Sequence, residues 1–315
     1  MTIALDFETM AEEIQQIVLT PIQGQTCWLA LRPSGLCRSD DAGASWQTLL
    51  SNEQLASKLA RLIVSPDFAH DQRLIVGGQP GIWWSQDGGR SWQPSEIELP
   101  LPSITDFAIS PDFKRDQTAF AASTADGVLV SYTGGRRWAR WNIGLFDHRV
   151  LSLAISPNFA HDRTLYAGTS SGLFRSNNSG RSWQEVTTPL GETAITAVQV
   201  EKHYEATALV IGGTRAGLFL SLDEGDSWHA LGDDQLPASI KAILTSNDGY
   251  GLERLWVLAQ EQLWLSDDVG ASWRRAGLSQ SSAAIVALAA LVDNGHYKLL
   301  VADREGGVQL MERDS

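Results

Sequence analysis

Short apolar runs alternate with turn residues along most of the chain. In one stretch, apolar segments at 151–155, 164–168 and 172–175 are separated by Pro, Gly, Asn and Asp. Runs of this length, bounded by turn residues, are typical of β-strands. A fourth strand is predicted to begin at Ser182, so the pattern indicates repeating units of four strands.

Each complete unit contains one octapeptide that ends in tryptophan. Six copies occur at a spacing of 45 or 46 residues, at 39–46, 85–92, 131–138, 176–183, 221–228 and 266–273. Four copies follow S-x-D-x-G-x-S-W in full, whereas SYTGGRRW and SNNSGRSW lack the aspartate. Four strands repeating at about 45 residues match the size of a propeller blade.

The residue types of the octapeptide suit a tight hairpin. Aspartate bonds the backbone two residues further on, glycine adopts positive φ, and the tryptophan ring fills the wedge between neighbouring sheets. We therefore assign a structural role to Asp41, Gly43, Trp46, Asp87, Gly89, Trp92, Trp138, Trp183, Asp223, Gly225, Trp228, Asp268, Gly270 and Trp273.

The number of units predicts an all-β, seven-bladed β-propeller of four-stranded antiparallel blades, which we prefer to a six-bladed ring. Six units run from 14 to 275, and three more strands follow at 285–291, 298–302 and 307–311. The segment 3–8 is predicted to complete the last blade, because closing the ring removes exposed sheet edges. We expect one domain over 1–315, with blades near 14–50, 58–97, 103–142, 149–188, 194–231, 239–276, and 283–311 plus 3–8.

The formal net charge of −13 opposes binding to phosphate backbones and anionic lipid. Nucleic acid is therefore not an expected partner, and membrane insertion is not expected either. The first eight residues carry acids where a secretory signal would carry Lys or Arg, which favours a cytoplasmic location. Cys27 and Cys37 lie in one predicted hairpin, and two reduced thiols are preferred to a cross-strand disulfide.

The first strand of each blade is expected to line the central channel. Aligned first strands place seven residues in one column, namely Gln16, Arg61, Asp106, Ser152, Ala197, Ala242 and Ala287. Arg61 and Asp106 are neighbours in this column, so they either form a structural ion pair or hold one end of a polar ligand.

Links between blades and the turns between second and third strands supply the other candidates. One link carries Arg140, Trp141, Asp147, His148 and Arg149, and aromatic and Arg side chains are frequent anchors of binding surfaces. An exposed Trp in a propeller also serves as a lid on the gap between blades. The turns add Asp126, Arg215 and Arg304.

The repeated Ser-Pro-Asp/Asn-Phe segments at 65–71, 110–116 and 156–162 are interpreted as turns with a Phe plug. No Gly-rich phosphate loop, zinc motif or nucleophile elbow occurs, so no cofactor, metal or catalytic residue is predicted.

The octapeptides and their spacing resemble those of the Asp-box, or BNR-repeat, propellers over about 14–311. That group includes sialidases, sortilin-type receptors, xyloglucan hydrolases and photosystem II assembly propellers. The resemblance implies that the box lies between the third and fourth strands, away from the active face. The sequence has no Arg-Ile-Pro element of the sialidases. Photosystem assembly propellers are similar in blade number, but their exported character and arginine-rich face set them apart from this acidic chain.

Two functions remain open at this stage. We prefer a non-catalytic platform that holds a protein partner at the channel mouth, because no catalytic constellation is visible. The alternative is a glycan-binding or glycoside-hydrolase-like propeller that uses Asp106, Asp126 or Asp147, since glycoside hydrolysis needs two carboxyl groups at a defined separation. A small ligand would suit the same channel mouth.

Overall fold

The computed structural model describes residues 2–3, 12–22, 25–55, 58–98, 102–203, 206–213, 217–232, 235–237, 239–247, 252–276, 284–293 and 296–313. Across these residues the chain forms twenty-nine β-strands and four one-turn helices. The strands group into sheets 1 to 7. The sheets are numbered in chain order by the strand of each sheet that lines the central channel.

Strand β1, Thr2–Ile3, precedes sheet 1, which contains β2 Gln16–Ile22, β3 Gln25–Arg32, β4 Gly35–Ser39 and β5 Gln47–Ser51. Sheet 2 contains β6 Lys58–Val64, β7 Leu74–Gln79, β8 Gly81–Ser85 and β9 Gln93–Pro94. Sheet 3 contains β10 Glu96–Ile97, β11 Ile104–Ile109, β12 Ala119–Ser123, β13 Val128–Ser131 and β14 Arg137–Arg140. Sheet 4 contains β15 Val150–Ile155, β16 Leu165–Thr169, β17 Leu173–Ser176 and β18 Gln184–Val186.

Sheet 5 contains β19 Ile195–His203, β20 Ala206–Gly213, β21 Gly217–Ser221 and β22 His229–Leu231. Sheet 6 contains β23 Ile240–Asn247, β24 Leu252–Ala259, β25 Gln262–Ser266 and β26 Arg274–Arg275. Sheet 7 contains β27 Ile285–Asp293, β28 His296–Asp303, β29 Val308–Arg313 and the N-terminal β1. The helices are α1 Asn52–Leu55, α2 Phe68–Asp71, α3 Phe113–Asp116 and α4 Phe159–Asp162.

The predicted count of seven four-stranded antiparallel blades is wrong. Among the described residues, six sheets are four-stranded antiparallel blades, and sheet 3 departs from that plan with five strands. Its extra strand β10 belongs to the link that leaves sheet 2, and it pairs in parallel with β14 through Glu96–Arg137 and Ile97–Trp138. The link therefore covers part of an outer sheet edge that would otherwise be exposed.

The innermost strands close a ring. Each first strand contacts the first strand of the next sheet, and β27 of sheet 7 contacts β2 of sheet 1. In sheet 7, β1 pairs antiparallel with β29, with Thr2 opposite Met311 and Ile3 opposite Leu310. Of the segment 3–8 that was predicted to close the ring, residues 4–8 lie outside the described residues.

The hydrophobic core lies between neighbouring sheets. One cluster joins sheets 3 and 4, where Phe120 and Phe159 meet edge to face with ring centroids 5.8 Å apart. Trp183 closes this cluster from the sheet 4 octapeptide. One sheet alone cannot bury its apolar face. Burial of apolar side chains between neighbouring sheets therefore holds each unit against the next.

The octapeptide lies between the third and fourth strands and forms a fixed hydrogen-bond network. In sheet 1, Ser39 Oγ donates to Asp41 Oδ1 at 2.7 Å and accepts the Gly43 N–H at 2.8 Å. Asp41 Oδ1 also accepts the Ser45 N–H at 2.8 Å, and its Oδ2 accepts the Ser45 hydroxyl. The serine, aspartate and glycine therefore hold the turn together.

The two octapeptides without aspartate keep this geometry. In sheet 3, Thr133 Oγ1 accepts the Arg137 N–H at 2.9 Å. In sheet 4, Asn178 Oδ1 accepts the Ser182 N–H at 2.9 Å, and its Nδ2 donates to the Ser182 hydroxyl at 2.7 Å. Neutral side chains therefore replace the carboxylate without opening the turn.

The octapeptide glycine is required by both backbone and packing. Gly135 has φ of 88°, and a Cβ there would lie 2.6 Å from the Ile75 side chain of sheet 2. Gly89 would meet Leu49 of sheet 1 at 2.7 Å in the same way. The octapeptide of each of these sheets thus packs directly on the preceding sheet.

The Ser-Pro-Asp/Asn-Phe segments form turns with a buried Phe, as predicted. Phe68, Phe113 and Phe159 are each buried at the start of a one-turn helix. In the first of these turns, Ser65 Oγ donates to Asp71 Oδ2 at 2.6 Å. The two cysteines are buried free thiols, because the sheet register does not place them opposite each other.

Acid should weaken the octapeptide turns that carry aspartate. Hydrogen bonds from the Ser45 hydroxyl, the Ser45 N–H and Ser39 lower the pKa of Asp41 from 3.8 to about 2, and Asp223 and Asp268 show the same shift. A lowered folded-state pKa gives stability that is present above pH 3.8 and is lost as pH falls towards about 2. We expect the melting temperature of the triple variant Asp41→Asn, Asp223→Asn, Asp268→Asn to fall less steeply over this range than that of the wild type.

The exposed Asp226 supplies a matched control, and Asp226→Asn should follow the wild-type pH profile. Equal slopes for the triple variant and the wild type would show that these carboxylates do not carry the acid sensitivity. The measurement is circular dichroism melting at several pH values.

Candidate functional site: the mouth face

Links between sheets and second-to-third-strand turns meet on one face of the ring, called the mouth face. The Gly81 N–H bonds to Pro102 O, the Gly127 N–H to His148 O, and the Ser170 N–H to Arg149 O. In each case a turn contacts a link beside the start of a channel-lining strand. The octapeptide hairpins join the third and fourth strands at the other end of the sheets. The link between sheets 3 and 4 nevertheless reaches the sheet 4 octapeptide, because the Trp183 N–H bonds to Ile143 O at 2.8 Å.

Arg61 and Asp106 lie together in the channel. Arg61 Nε is 3.8 Å from Asp106 Oδ1, and Asp106 Oδ2 accepts the Leu153 N–H of sheet 4 at 2.9 Å. Burial raises the pKa of Asp106, and Arg61 together with the N–H groups of Leu153 and Phe107 offsets only part of this effect. The carboxylate therefore connects sheets 2, 3 and 4, which favours the structural interpretation of this pair.

Other polar members of the column make similar connections. Gln16 of sheet 1 accepts the Leu62 N–H of sheet 2 at 2.8 Å and donates to Leu62 O at 2.9 Å. Ser152 Oγ of sheet 4 donates to Ile195 O of sheet 5 at 3.1 Å. The polar side of the channel is thus largely occupied with joining innermost strands.

The turn of sheet 3 fixes Asp126 and Arg140. Their side chains form an ion pair at 3.1 Å, with Arg140 the more exposed of the two. Asn142 stabilises the same turn, because its Nδ2 donates to Asp126 O at 2.7 Å and its Oδ1 accepts the Val128 N–H at 2.9 Å. These bonds hold the beginning of the link between sheets 3 and 4 against the turn.

Asp147 fixes the other end of that link. It accepts the Ser170 hydroxyl at 2.7 Å, the Ser171 hydroxyl at 2.9 Å and the Arg149 N–H at 2.9 Å. Burial raises its pKa, but these hydrogen bonds outweigh that effect and leave the pKa of Asp147 below its usual value. Asp106, Asp126 and Asp147, the carboxylates offered for glycan chemistry, are therefore each engaged by other groups.

Trp141 covers a gap between sheets. Its ring lies 5.5 Å from that of Tyr132 and 5.6 Å from the guanidinium of Arg181 in the sheet 4 octapeptide. Its carbonyl accepts the Trp183 indole N–H at 3.1 Å. These contacts favour the lid interpretation over that of a free binding residue.

The middle of the link presents apolar side chains to solvent. Ile143 is 74% exposed and Phe146 is 86% exposed, whereas Leu145 between them is buried. Gly144 permits this conformation with φ of 79°, and a Cβ there would lie 2.3 Å from Trp183 O. Ile143, Phe146, His148 and Arg149 form what we call the link patch, all four of them exposed.

Arginines are frequent in the stretch of sequence that contains the link patch. Residues 131–182 contain seven arginines and two carboxylates, although the whole chain carries a net charge of −13. The octapeptides of this stretch are the two that lack aspartate. The arginines are Arg136, Arg137, Arg140, Arg149, Arg163, Arg175 and Arg181.

The remaining turn candidates are less informative. Arg304 is exposed and forms an ion pair with Glu261 of sheet 6. Arg215 lies outside the described residues. A cavity of about 400 Å³ opens at the channel mouth, and Glu13, Lys58, Arg61 and Lys241 contribute charged side chains to it.

Two kinds of feature are absent from the part of the chain that the structure describes. Among those residues, no group of three or more His, Cys, Asp or Glu side chains could hold a metal ion. No helix in the same part of the chain is long and apolar enough to cross a membrane.

The connection made by Asp106 gives a stability prediction. Asp106→Ala leaves the buried Leu153 N–H without its acceptor, which should cost about 1–3 kcal/mol of unfolding free energy. Asp106→Asn keeps an acceptor oxygen and removes the buried charge, so it should be much less destabilising. Urea denaturation at neutral pH measures both.

Asp112→Ala is the control, since the ion pair of Asp112 with Arg115, at 3.7 Å, lies on the surface, where Arg115 is 83% exposed. It should change stability by less than about 1 kcal/mol. A destabilisation of Asp106→Asn equal to that of Asp106→Ala would mean that charge, rather than the acceptor, is what sheet 4 requires.

Comparison with known proteins gives a family and a set of structural relatives. A family model described as photosynthesis system II assembly factor YCF48 matches residues 5–250. A search of curated proteins finds no significant match.

The structural relatives are propellers of low sequence identity. YCF48 bound to D1 peptide is 13% identical with a TM-score of 0.70, covering 99% of this chain and 96% of that one. YCF48 from Cyanidioschyzon merolae is 17% identical with a TM-score of 0.62, covering 98% and 97%. The extracellular domain of the putative one component system BT4673 from B. thetaiotaomicron is 14% identical with a TM-score of 0.72, covering 100% of this chain and 40% of that one.

The family match shows that the distinction drawn between this chain and the photosystem II assembly propellers is wrong. That distinction relied on the acidic mean charge of this chain and on the exported character and arginine-rich face of those propellers. The mean concealed the arginines of 131–182. Identities of this size to solved structures show the fold alone, whereas the family model covers most of the sequence. The chain belongs to the photosynthesis system II assembly factor YCF48 family.

Proposed function

We propose that this protein is a non-catalytic assembly scaffold that binds a peptide segment of a partner protein at the link patch. The observation that carries the proposal is the 86% exposed Phe146, three residues before the exposed Arg149, in an arginine-rich stretch of an otherwise acidic sequence. Membership of an assembly factor family supports it, as does the D1 peptide bound to the structural relative YCF48.

The patch has the composition of an interface centre. Aromatic residues and arginines supply most of the binding energy in protein interfaces, and Phe146 and Arg149 lie three residues apart on one link. The link is held at both ends by Asn142 and Asp147, so little conformational entropy is lost when a partner binds.

The charge around the patch defines the partner. Arginines attract acidic residues and accelerate association, while the acidic remainder of the surface repels them. We therefore expect an extended segment that presents carboxylates around one apolar side chain. A D1 peptide of the kind bound to YCF48 is the first probe, and overlapping peptides of the D1 chain extend it.

Removal of the apolar anchor should weaken peptide binding. Full burial of a Phe side chain contributes about 1.5–3 kcal/mol, so Phe146→Ala should raise the peptide Kd about 10- to 100-fold. Arg149→Glu should weaken binding too and reduce its salt dependence. Fluorescence anisotropy of labelled peptides measures both effects.

Two matched controls lie at the octapeptide end of the strands. Leu222→Ala removes another exposed apolar side chain, and Arg115→Glu reverses another exposed charge. Both should bind as the wild type does. If Phe146→Ala and Arg149→Glu also kept wild-type affinity, the placement of the site at the link patch would be wrong. If the wild type bound none of the peptides, a D1-like partner would be contradicted.

A further inference from the structure

The cavity at the channel mouth is separate from the link patch. It has a volume of about 400 Å³ and is bounded on one side by Lys58 and Arg61 of sheet 2 and on another by Lys241 of sheet 6. Glu13 and Gln15 from the chain entering sheet 1 also line it. This volume lies within the range that accommodates small ligands in proteins.

The two lysines of the cavity are exposed to its solvent-filled space. Within the described ranges, neither Lys58 nor Lys241 has an ion pair or a side-chain hydrogen bond. Arg61 donates Nη1 to Ala60 O, and its nearest carboxylate oxygen, on Asp106, is 3.8 Å away. Two lysines and the guanidinium of the Arg61–Asp106 pair thus converge on one space.

The carboxylates nearby offset these cations only in part. Asp106 is shared between Arg61 and the Leu153 N–H, and Glu261 is shared between Lys241 and Arg304. Glu13 is then the one carboxylate among the residues that line the cavity, against three cationic side chains. Burial lowers the pKa of Lys241, Glu13 and Glu261 raise it, and Arg304 and Arg61 lower it further.

A β-bulge places Lys241 in this position. The strand register shifts between Ile240 and Ala242, so Lys241 is the extra residue of β23. The equivalent residues of sheets 3 and 5, Thr105 and Thr196, donate their hydroxyls to Val150 O and Ile240 O of the next sheet. A bulge redirects a side chain, and here it carries a cation instead of a group that joins sheets.

We infer that the mouth cavity binds a small oxyanion with two or more negative charges, a phosphate or a dicarboxylate, between Lys58 and Arg61 on one side and Lys241 on the other. Bound oxygens would accept charge-assisted hydrogen bonds from all three cations. Gln15, Gln79 and Ser103 supply neutral polar groups around the same space. The inference uses no residue of the link patch and holds whether or not a peptide binds there.

The test is isothermal titration of the wild type with inorganic phosphate and with succinate, against sodium chloride at matched ionic strength. We expect saturable binding of at least one of the two anions and none of chloride. Lys241→Gln and Lys58→Gln should each weaken that binding about 10-fold or more, because each removes a charge-assisted hydrogen bond. Lys114→Gln, at the octapeptide end where Lys114 pairs with Asp67 at 3.0 Å, should leave it unchanged.

Binding should also weaken as pH rises towards 10.5, the ordinary pKa of lysine. Because its pKa is lowered, Lys241 loses its positive charge at a lower pH than an ordinary lysine does. The groups that face Lys241 are Glu13, Arg61, Glu261 and Arg304, and none of them is removed in these variants. Chloride binding equal to that of phosphate and succinate would overturn the inference. Wild-type affinity in both lysine variants would overturn it as well. So would a wild-type protein that gives neither heat on titration with the anions nor phosphate-induced shifts in its NMR spectrum.

Discussion

The buried serine at the start of each octapeptide is the interaction on which the rest of the structure depends. In all six copies its hydroxyl accepts the N–H of the octapeptide glycine, and each of these serines is almost completely buried. The bond fixes the glycine at positive φ and brings the turn against the preceding sheet, as Gly89 does on Leu49. A local hydrogen bond thereby determines how neighbouring sheets pack, and this packing repeated around the chain closes the ring.

The aspartate of the octapeptide is less strictly required than the serine. Thr133 and Asn178 make the backbone bonds that aspartate makes elsewhere, without its charge. Both substitutions lie in sheets 3 and 4, within the stretch that carries seven arginines. Carboxylates from outside the stretch pair with three of these arginines, since Arg137 meets Glu96, Arg140 meets Asp126 and Arg175 meets Glu224. The change that keeps the turn intact therefore also removes negative charge from this stretch of sequence.

Periodicity in the sequence was sufficient for the propeller architecture but not for the number of four-stranded blades or for every strand. Six octapeptides at a fixed spacing located the hairpins and the sheets, because each residue type has a local geometric role. The parallel strand Glu96–Ile97 has no such signal, since it lies in a link and gains its partner only when sheet 3 is present. That is why the count of four-stranded blades was wrong.

The candidate site was harder to predict because solvent exposure is a tertiary property. Trp141 was proposed as a binding residue from its type, yet Tyr132, Arg181 and Trp183 occupy its surroundings. Phe146 was missed, although the glycine two residues before it is what allows the link to bury Leu145 and expose Phe146. Lys241 was missed because a bulge, which sequence alignment of the strands does not show, turns it into the channel mouth.

Both proposed sites lie on the mouth face, and the other face explains why. Octapeptide hairpins and Ser-Pro-Asp/Asn-Phe turns occupy the opposite ends of the strands, where the repeated serine and aspartate side chains are committed to the turn itself. A substitution of one of these serines or aspartates removes a bond on which sheet packing depends. Asn142, Asp147 and Asp106 likewise hold links and strands in place on the mouth face, but the exposed Phe146 and Lys241 make no side-chain hydrogen bond within the described residues. The stability of one face thus leaves the other available for binding.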